Sequence, residues 1–212
     1  QYGSKGYVFC HYEPDGSHRI RLPEFTDSIR FAKTGGLHIA TRTDDRRAPV
    51  SEDGSGTRNA GTVVTLDPAP CNQTMTVDIR NKHDGPYRLA LYFVDWEKTG
   101  RRSAVEVFDL DDKRLLMPVQ IVRDYREGRY VVLSLEGSVR LRINQVRGTN
   151  ASLCALFSLI ADRHTVREVA SEEFYERPET GNAGRIKACR AATGDKRGRP
   201  LAIFGKLSYL YL

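Results

Sequence analysis

One stretch of this chain, residues 87–109, constrains the fold more than any other. Its sequence is YRLALYFVDWEKTGRRSAVEVFD, and from Tyr87 to Val94 it is almost continuously apolar. A short apolar run of this kind is typical of a strand that is covered on both faces. From Ser103 to Asp109 the residue types alternate, as expected for a second strand. The stretch therefore predicts two core strands joined by a polar hairpin loop.

The hairpin loop carries the only tryptophan of the chain, Trp96, between Asp95 and Glu97. Arg101 follows four residues after Glu97. An indole surrounded by charged groups indicates a recognition loop with an aromatic platform and polar handles. In the alternative interpretation Trp96 is a core or rim aromatic and Arg101 only braces Asp95. The sequence leaves both interpretations open.

Turn signals separate further short strands at a spacing of about ten residues, which is the pattern of a β-sandwich. The other predicted strands lie at 6–12, 28–32, 37–41, 61–66, 75–80, 114–124, 128–135, 139–146 and 152–160. Residues 44–59 between them are polar and Gly-rich, and we interpret them as a solvated loop. The chain is thus predicted to be all-β, with an antiparallel jelly-roll sandwich over residues 1–160.

The pattern changes in residues 161–212, which we expect to form a C-terminal extension. Its predicted parts are a helix at about 163–177, a basic Gly-rich arm at 180–199 and a terminal strand at 200–212. Residues 161–179 carry 3 Lys+Arg and 6 Asp+Glu, a net charge of −3, whereas residues 180–212 carry 7 and 1, a net charge of +6. An apolar terminal strand needs a pairing partner. That partner is either the chain's own sheet or a neighbouring subunit, so a homo-oligomer formed through residues 161–212 is expected.

Composition and cysteine usage suggest an exported protein. The chain is 40% hydrophobic and 28% charged, as in folded proteins, and has no apolar run of the roughly 18 residues that a membrane helix needs. We therefore expect no membrane insertion and an extracellular or cell-surface location. Cys10, Cys71, Cys154 and Cys189 lack the spacing of a zinc or redox motif. Two disulfides are the favoured interpretation, and four buried free thiols are the alternative.

The sequence argues against catalysis, because no motif of a serine hydrolase or zinc protease is present and the five histidines are scattered singly. A glycosidase needs two carboxylates roughly 5–10 Å apart in a cleft. Asp95 and Glu97 lie together on one exposed loop, which is a poor cleft. Nucleic acid is also not expected, because residues 196–199 are basic without interleaved aromatics.

An acidic turn is the one candidate for a metal site. Three carboxylates at Asp109, Asp111 and Asp112 could hold a structural calcium, which binds several oxygens. The glycine and the distant glutamate of the fuller calcium-loop pattern are missing, so a plain β-turn is favoured. No cofactor is expected.

Several motifs in the same order resemble a family of bacterial accessory domains. They are RLALYFVDWEKTGRRSAVEVFD at 88–109, DYREGRYVVLSLEGSVRLRINQVRGTNASLCALF at 124–157, and the steps at 44–48 and 58–60 before a strand. The family, galactose-binding-like β-sandwich modules of bacterial carbohydrate-active and surface proteins, resembles this chain over about residues 2–160. The departures from its motifs are Glu97, Leu133 and Ser158.

The resemblance implies a carbohydrate-binding domain that does not cut its ligand. Trp96 would stack on a sugar face, and Asp95, Glu97 and Arg101 would hydrogen-bond its hydroxyl groups. The further candidates on neighbouring loops are Arg58, Asn59, Asp124 and Tyr125. The alternative function is a structural subunit of an extracellular filament or surface assembly, in which residues 200–212 add a strand to a neighbour's sheet.

Overall fold

The computed structural model describes residues 5–65 and 73–160, and all secondary-structure elements in these ranges are β-strands. The strands are β1 (Gly6–Phe9), β2 (Arg19–Arg21), β3 (Thr26–Ala32), β4 (Thr34–Ala40), β5 (Ala60–Thr65), β6 (Thr74–Asn81), β7 (Pro86–Phe93), β8 (Arg102–Asp109), β9 (Gln120–Val122), β10 (Arg129–Glu136), β11 (Val139–Arg147), β12 (Ser152–Leu153) and β13 (Ala155–Ile160). The predicted all-β class is confirmed.

Two five-stranded antiparallel sheets form the sandwich. Sheet A has the order β10-β7-β13-β1-β2 and sheet B the order β3-β6-β11-β8-β9, while β12, β5 and β4 form a smaller sheet C. From β6 to β8 the chain alternates between the two large sheets, and β10, β11 and β13 do so again, with β12 of sheet C between the last two. Alternation of this kind is the connectivity of a jelly roll, so the predicted architecture is confirmed.

The main core lies between sheets A and B and follows from the period-2 alternation of their strands. On β7, Leu89, Leu91 and Phe93 point inward and are at most 3% exposed. Val77 of β6 and Val105 of β8 meet them from sheet B and are fully buried. Burying each such side chain contributes roughly 1.5–3 kcal/mol, so this layer fixes the register of both sheets.

A second apolar cluster covers the opposite, outer face of sheet A. Its buried members are Tyr7, Phe9, Tyr12, Ala90, Tyr92, Val94, Cys154, Ala155 and Phe157. Strand β7 therefore has apolar neighbours on both faces, as its unbroken apolar sequence predicted. The outer cluster forms the base of the site described below.

Apart from shifts at the ends of strands, three strand predictions differ from the structure. Residues 19–21 form a strand that the sequence analysis missed, because three residues give too short a pattern. Only Gln120–Val122 of the predicted strand 114–124 is regular; Pro118 just before it has no N–H to give to a ladder. The predicted strand 152–160 is divided at Cys154, because Ser152 pairs with Val64 in sheet C whereas β13 enters sheet A.

Cys10 and Cys154, the two cysteines in the described ranges, are free and only 1% exposed. The backbone N–H of Cys10 donates to the carbonyl oxygen of Cys154 over 2.9 Å, so the two residues are neighbours. Burial raises the pKa of the Cys154 thiol to about 11 and that of Cys10 well above its ordinary value. The described residues thus contain no disulfide, contrary to the favoured interpretation of the sequence.

The remaining predictions for the C-terminal extension fall on residues 161–212. The helix at 163–177, the arm at 180–199 and the strand at 200–212 all lie outside the described residues, as do Cys71 and Cys189. Within the described ranges, no helix is long and apolar enough to cross a membrane.

Candidate functional site: an aromatic cleft on sheet A

A cleft of about 490 Å³ lies over the outer face of sheet A. Two rows of cross-strand neighbours form the surface beneath it: Arg19–Phe9–Ala155–Tyr92–Tyr130 and Arg21–Tyr7–Phe157–Ala90–Val132. The aromatic residues that line the cleft, called the aromatic floor here, are Tyr7, Phe9, Tyr92, Tyr130 and Phe157. The volume is in the range typical of small-ligand sites.

The rings of the aromatic floor pack against one another because the residues between them are small. Tyr7 and Phe9 stack with ring centroids 4.4 Å apart, and Tyr92 stacks on Tyr130 at 4.5 Å. Between them Ala90 and Ala155 leave room for the rings to lie over the sheet. Tyr130 is 41% exposed, whereas the other four rings are at most 8% exposed.

The connection between β4 and β5 forms one side of the cleft. Residues 46–52 and Arg58 line it and are called the loop wall here. This segment is ordered by its own contacts: Val50 forms a β-bridge with Arg58, and the N–H of Ser51 donates to the carbonyl of Thr57 over 2.7 Å. The interpretation of residues 44–59 as a solvated loop was therefore wrong for the part that faces sheet A.

Arg47 joins the loop wall to three other elements. Its guanidinium pairs with Asp45 over 2.7 Å and donates to the carbonyl oxygen of Arg126 over 2.7 Å. Its Cζ lies 5.1 Å from the centroid of the Trp96 ring. Its own carbonyl oxygen accepts a hydrogen bond from the Tyr92 hydroxyl over 2.9 Å. The hydrogen bonds from Arg47 hold the pKa of the Asp45 carboxyl below its ordinary value, so this pair stays charged at neutral pH.

Contacts from β2 and from the β1–β2 loop hold the loop wall from the other side. Arg19 donates to the Ser51 hydroxyl over 2.6 Å and to Glu13 over 2.5 Å. The side-chain amide of Asn59 donates to the carbonyl of Tyr12 over 2.9 Å. Because these contacts cross between loops far apart in sequence, the cleft is built before any ligand binds.

Charged groups line the open side of the cleft. Arg21 pairs with Glu52 over 3.1 Å, and its Cζ lies 5.1 Å from the Tyr7 ring centroid. Burial, together with a hydrogen bond to Glu52, raises the pKa of Tyr7 to about 12, so this phenol stays protonated. Arg58 donates to the carbonyl oxygen of Ala48 over 2.6 Å, which fixes its position on the wall.

The structure brings Asp95, Glu97 and Arg101 together, but most of their polar atoms are used within the hairpin loop. Arg101 and Asp95 are 4% and 1% exposed and pair over 2.6 Å, and Arg101 also pairs with Glu97. Burial alone would raise the pKa of Asp95, but hydrogen bonds from Arg101 and the amide of Gly100 hold it below its ordinary value. This geometry matches the bracing interpretation, whereas the sugar-binding role of these residues stays a prediction.

Trp96 is partly buried and packs against the outer cluster of sheet A. Its ring centroid lies 5.1 Å from Cζ of Arg47, and the ring does not line the cleft. Trp96 is therefore a rim aromatic next to the cleft.

The four remaining candidates lie in different environments. Arg58 lines the cleft, and Asp124 is exposed with a positive φ of 57°. Asn59 is buried, and its side chain also accepts a hydrogen bond from the N–H of Arg42 over 2.9 Å. Tyr125 is 0% exposed in the main core, where its hydroxyl lies 3.1 Å from that of Ser103. Only Arg58 of these four faces the cleft.

The acidic turn after β8 uses its carboxylates locally. Asp109 accepts hydrogen bonds from the amides of Asp111 and Asp112 over 2.9 and 3.0 Å, and Asp112 accepts one from the amide of Arg114 over 2.7 Å. Within the described ranges, no group of three or more acidic, His or Cys side chains is arranged to hold a metal. The carboxylates of Asp109 and Asp112 thus support the turn itself, and the structural calcium stays a prediction.

Sequence reasoning missed the aromatic floor and most of the loop wall. The floor residues occupy the outward parity of predicted strands, so their orientation was available from the alternation. Their assembly depends on the order β10-β7-β13-β1 in sheet A, in which the first and the last strand of the described sequence are neighbours. No local sequence signal gives that order.

No family model and no curated protein matches the chain. Solved structures do match. A family 35 carbohydrate-binding module from Clostridium thermocellum is 10% identical, with a TM-score of 0.35 and coverage of 64% of this chain and 100% of its own. A family 61 module bound to β-1,4-galactotriose is 10% identical, with a TM-score of 0.39 and coverages of 63% and 88%.

A further match is a carbohydrate-binding module of lichenase 5A from Cellvibrio mixtus, in complex with cellotriose. It is 8% identical, with a TM-score of 0.38 and coverages of 74% of this chain and 98% of its own. All three neighbours are carbohydrate-binding modules, the class of module that the strand motifs resemble. Identities and TM-scores of this size assign no ligand and no site residue to this chain.

Proposed function

We propose that this chain is a carbohydrate-binding domain and that the cleft on sheet A holds the sugar. The observation that carries the proposal is the aromatic floor beside a wall of fixed polar groups. Sugar rings have apolar faces that pack on aromatic side chains, and their hydroxyls need donors and acceptors around the rim. Tyr130 supplies the exposed ring, and Arg58 and Glu52 supply charged groups at the edge.

The lining of the cleft supports binding without cleavage. Glu52 is its only carboxylate among the described residues, and it is paired with Arg21. Hydrolysis of a glycosidic bond uses two carboxylates, one as acid and one as base or nucleophile. A single, already paired carboxylate suits a role in orienting hydroxyl groups.

The test compares the cleft with the hairpin loop that the sequence indicated. Affinity electrophoresis and calorimetry would use galactan, β-glucan, dextran and polygalacturonate as probes. Tyr130→Ala is expected to weaken binding about tenfold or more, since stacking and burial of one aromatic ring contribute on the order of 1–3 kcal/mol. Ile121→Ala, at a 51% exposed position in sheet B, is the matched control and should bind as the parent does.

If the hairpin loop is the binding site instead, the same experiment gives the opposite result. If Trp96→Ala abolishes binding while Tyr130→Ala leaves it unchanged, the sugar sits at the hairpin loop and the cleft assignment is wrong. If the intact protein binds none of the polysaccharides, the proposed function itself fails.

An extracellular or cell-surface location is part of the same proposal. The alternative function, a subunit of an extracellular filament joined through residues 200–212, falls on residues outside the described ranges. It stays a prediction, as does the homo-oligomer, and mass measurement in solution would test both.

A further inference from the structure

The charge of the cleft is strongly one-sided. Its lining contains four arginines, Arg21, Arg46, Arg47 and Arg58, and one carboxylate, Glu52, a formal balance of +3. Asp45, which pairs with Arg47 from outside the lining, lowers this to +2 if it is counted. A neutral sugar needs no such excess, and like charges held close together oppose one another unless an anion joins them.

Two of these guanidiniums are placed to meet a ligand. Arg46 is exposed, and its side chain has no hydrogen-bond or ion-pair partner in the described part of the chain. Arg58 is anchored by one nitrogen, Nη1, on the carbonyl oxygens of Ala48 and Arg46 at 2.6 and 3.4 Å. No described carboxylate pairs with Arg58, so the rest of its guanidinium keeps donors for another group.

An arginine side chain binds an oxyanion more strongly than it binds a neutral hydroxyl group. Its guanidinium forms parallel, charge-assisted hydrogen bonds to the oxygens of a carboxylate or of a sulfate or phosphate ester. Here that chemistry stands at the edge of an aromatic floor, where the substituents of a stacked sugar ring would project. Neither feature alone selects a ligand, but together they match a ring that carries an anionic substituent.

We infer that the ligand of the cleft is an acidic saccharide, recognised by Arg46 and Arg58 through a carboxylate or sulfate group on a ring stacked on the aromatic floor. This inference rests on the proposed function, because it specifies the ligand of the same site. Carboxylated and sulfated sugars share the chemistry, and separate probes distinguish them.

The probes are pairs of polymers with the same backbone and different charge. Polygalacturonate is compared with its methyl ester, and dextran sulfate with dextran, by calorimetry on the full chain at an ionic strength of about 0.15 M, where distant charges are screened. At least one acidic polymer should bind about tenfold or more tightly than its neutral partner, the size expected of one charge-assisted hydrogen bond. The pair that shows the difference identifies the anionic group.

Variants place the effect in the cleft. Arg46→Gln and Arg58→Gln should each weaken binding of that polymer about tenfold and weaken binding of the neutral partner much less. Arg102→Gln is the matched control, because Arg102 is exposed on sheet B and should not matter. Since Arg58 also holds the loop wall, Arg46→Gln decides the question if Arg58→Gln does not fold.

Three outcomes overturn the inference. Equal binding of the acidic and neutral polymers would leave the proposed function standing and remove the acidic ligand. Unchanged binding by Arg46→Gln would place the recognition of charge elsewhere in the chain. Equally tight binding of polyglutamate, which has no sugar ring, would reduce the effect to nonspecific attraction. If no saccharide of either kind binds, the proposed function fails with it.

Discussion

The hydroxyl group of Tyr92 donates to the carbonyl oxygen of Arg47 over 2.9 Å, and this hydrogen bond joins the aromatic floor to the loop wall. Strand β7, which carries Tyr92, is also the strand that the sequence identified most clearly. Strand β7, the element that the sequence predicted most clearly, therefore holds the loop wall, whose role the sequence did not show.

Removing that hydroxyl should loosen the loop wall. Tyr92→Phe leaves the Arg47 carbonyl without its donor, and we expect the free energy of unfolding to fall by about 1 kcal/mol. Urea denaturation measures the loss, and limited proteolysis within residues 41–59 should become faster. Tyr130→Phe serves as control. An unchanged rate of cleavage would contradict this prediction, because the other contacts would then hold the loop wall without the Tyr92 hydroxyl.

The buried pair of the hairpin loop should matter far more for stability than its exposed neighbour. Arg101→Met leaves the Asp95 carboxylate buried without its cation, and the cost is expected to be about 3–5 kcal/mol. Glu97→Gln removes only a half-exposed partner of Arg101, with a side chain 53% exposed, and should cost less than about 1 kcal/mol. Chemical denaturation compares them, and equal losses would contradict the bracing role of Asp95.

Stability should fall between pH 7 and pH 5 because of the β1–β2 loop. Nδ1 of His18 accepts a hydrogen bond from the N–H of His11 over 2.9 Å, which only the unprotonated nitrogen can do. Burial, and then the neighbouring His11, hold the pKa of His18 below its ordinary value. The unfolded chain therefore binds more protons, and the stability present above about pH 6.5 is lost as the pH falls through the folded pKa.

Melting temperatures across this pH range test the role of His18. His18→Gln should reduce the slope, because glutamine does not titrate. Part of the slope should remain, because burial also holds the pKa of His11 below its ordinary value. His83→Gln, at an exposed position between β6 and β7, should leave the slope as it is. A slope that is unchanged in His18→Gln would assign the effect to another group.

A methyl group at Gly128 should disturb the aromatic floor. Gly128 has a φ of +89°, and a Cβ there would lie 2.3 Å from the Tyr92 hydroxyl. Gly128→Ala is therefore expected to destabilise the fold by more than 1 kcal/mol, roughly the cost of a strained backbone alone, and to weaken ligand binding. Gly54→Ala separates the two effects, because Gly54 has a φ of +76° and nothing within 4 Å of a Cβ. Equal losses in both variants would exclude crowding of Tyr92.

The sequence predicted the strands better than the site because the two depend on different information. Alternation and apolar runs are local, so β7, β8 and β11 were placed within a residue or two. The loop wall is held by contacts such as that from Arg19 to Ser51, which join residues 32 positions apart. A polar, Gly-rich composition does not show such contacts, and the segment was taken for a solvated loop.

The candidate site shows the same limit. Asp95 and Arg101 were correctly recognised as a possible internal pair, because their spacing across one short loop allows contact. Phe9 and Tyr130 lie 121 positions apart in the chain, and only the strand order of sheet A brings them to the same cleft. Of the candidate ligand-binding residues named from the sequence, Arg58 alone lines it.

The contact between Arg47 and Trp96 gives the protein a built-in optical reporter. Trp96 is the single tryptophan of the chain, and the Arg47 guanidinium lies 5.1 Å from the centroid of its ring. Any rearrangement of the β4–β5 segment moves a cation across that indole and changes its emission. Displacement of the loop wall, by substitution or by a ligand, can thus be followed by intrinsic fluorescence, without a label and without a second tryptophan to obscure the signal.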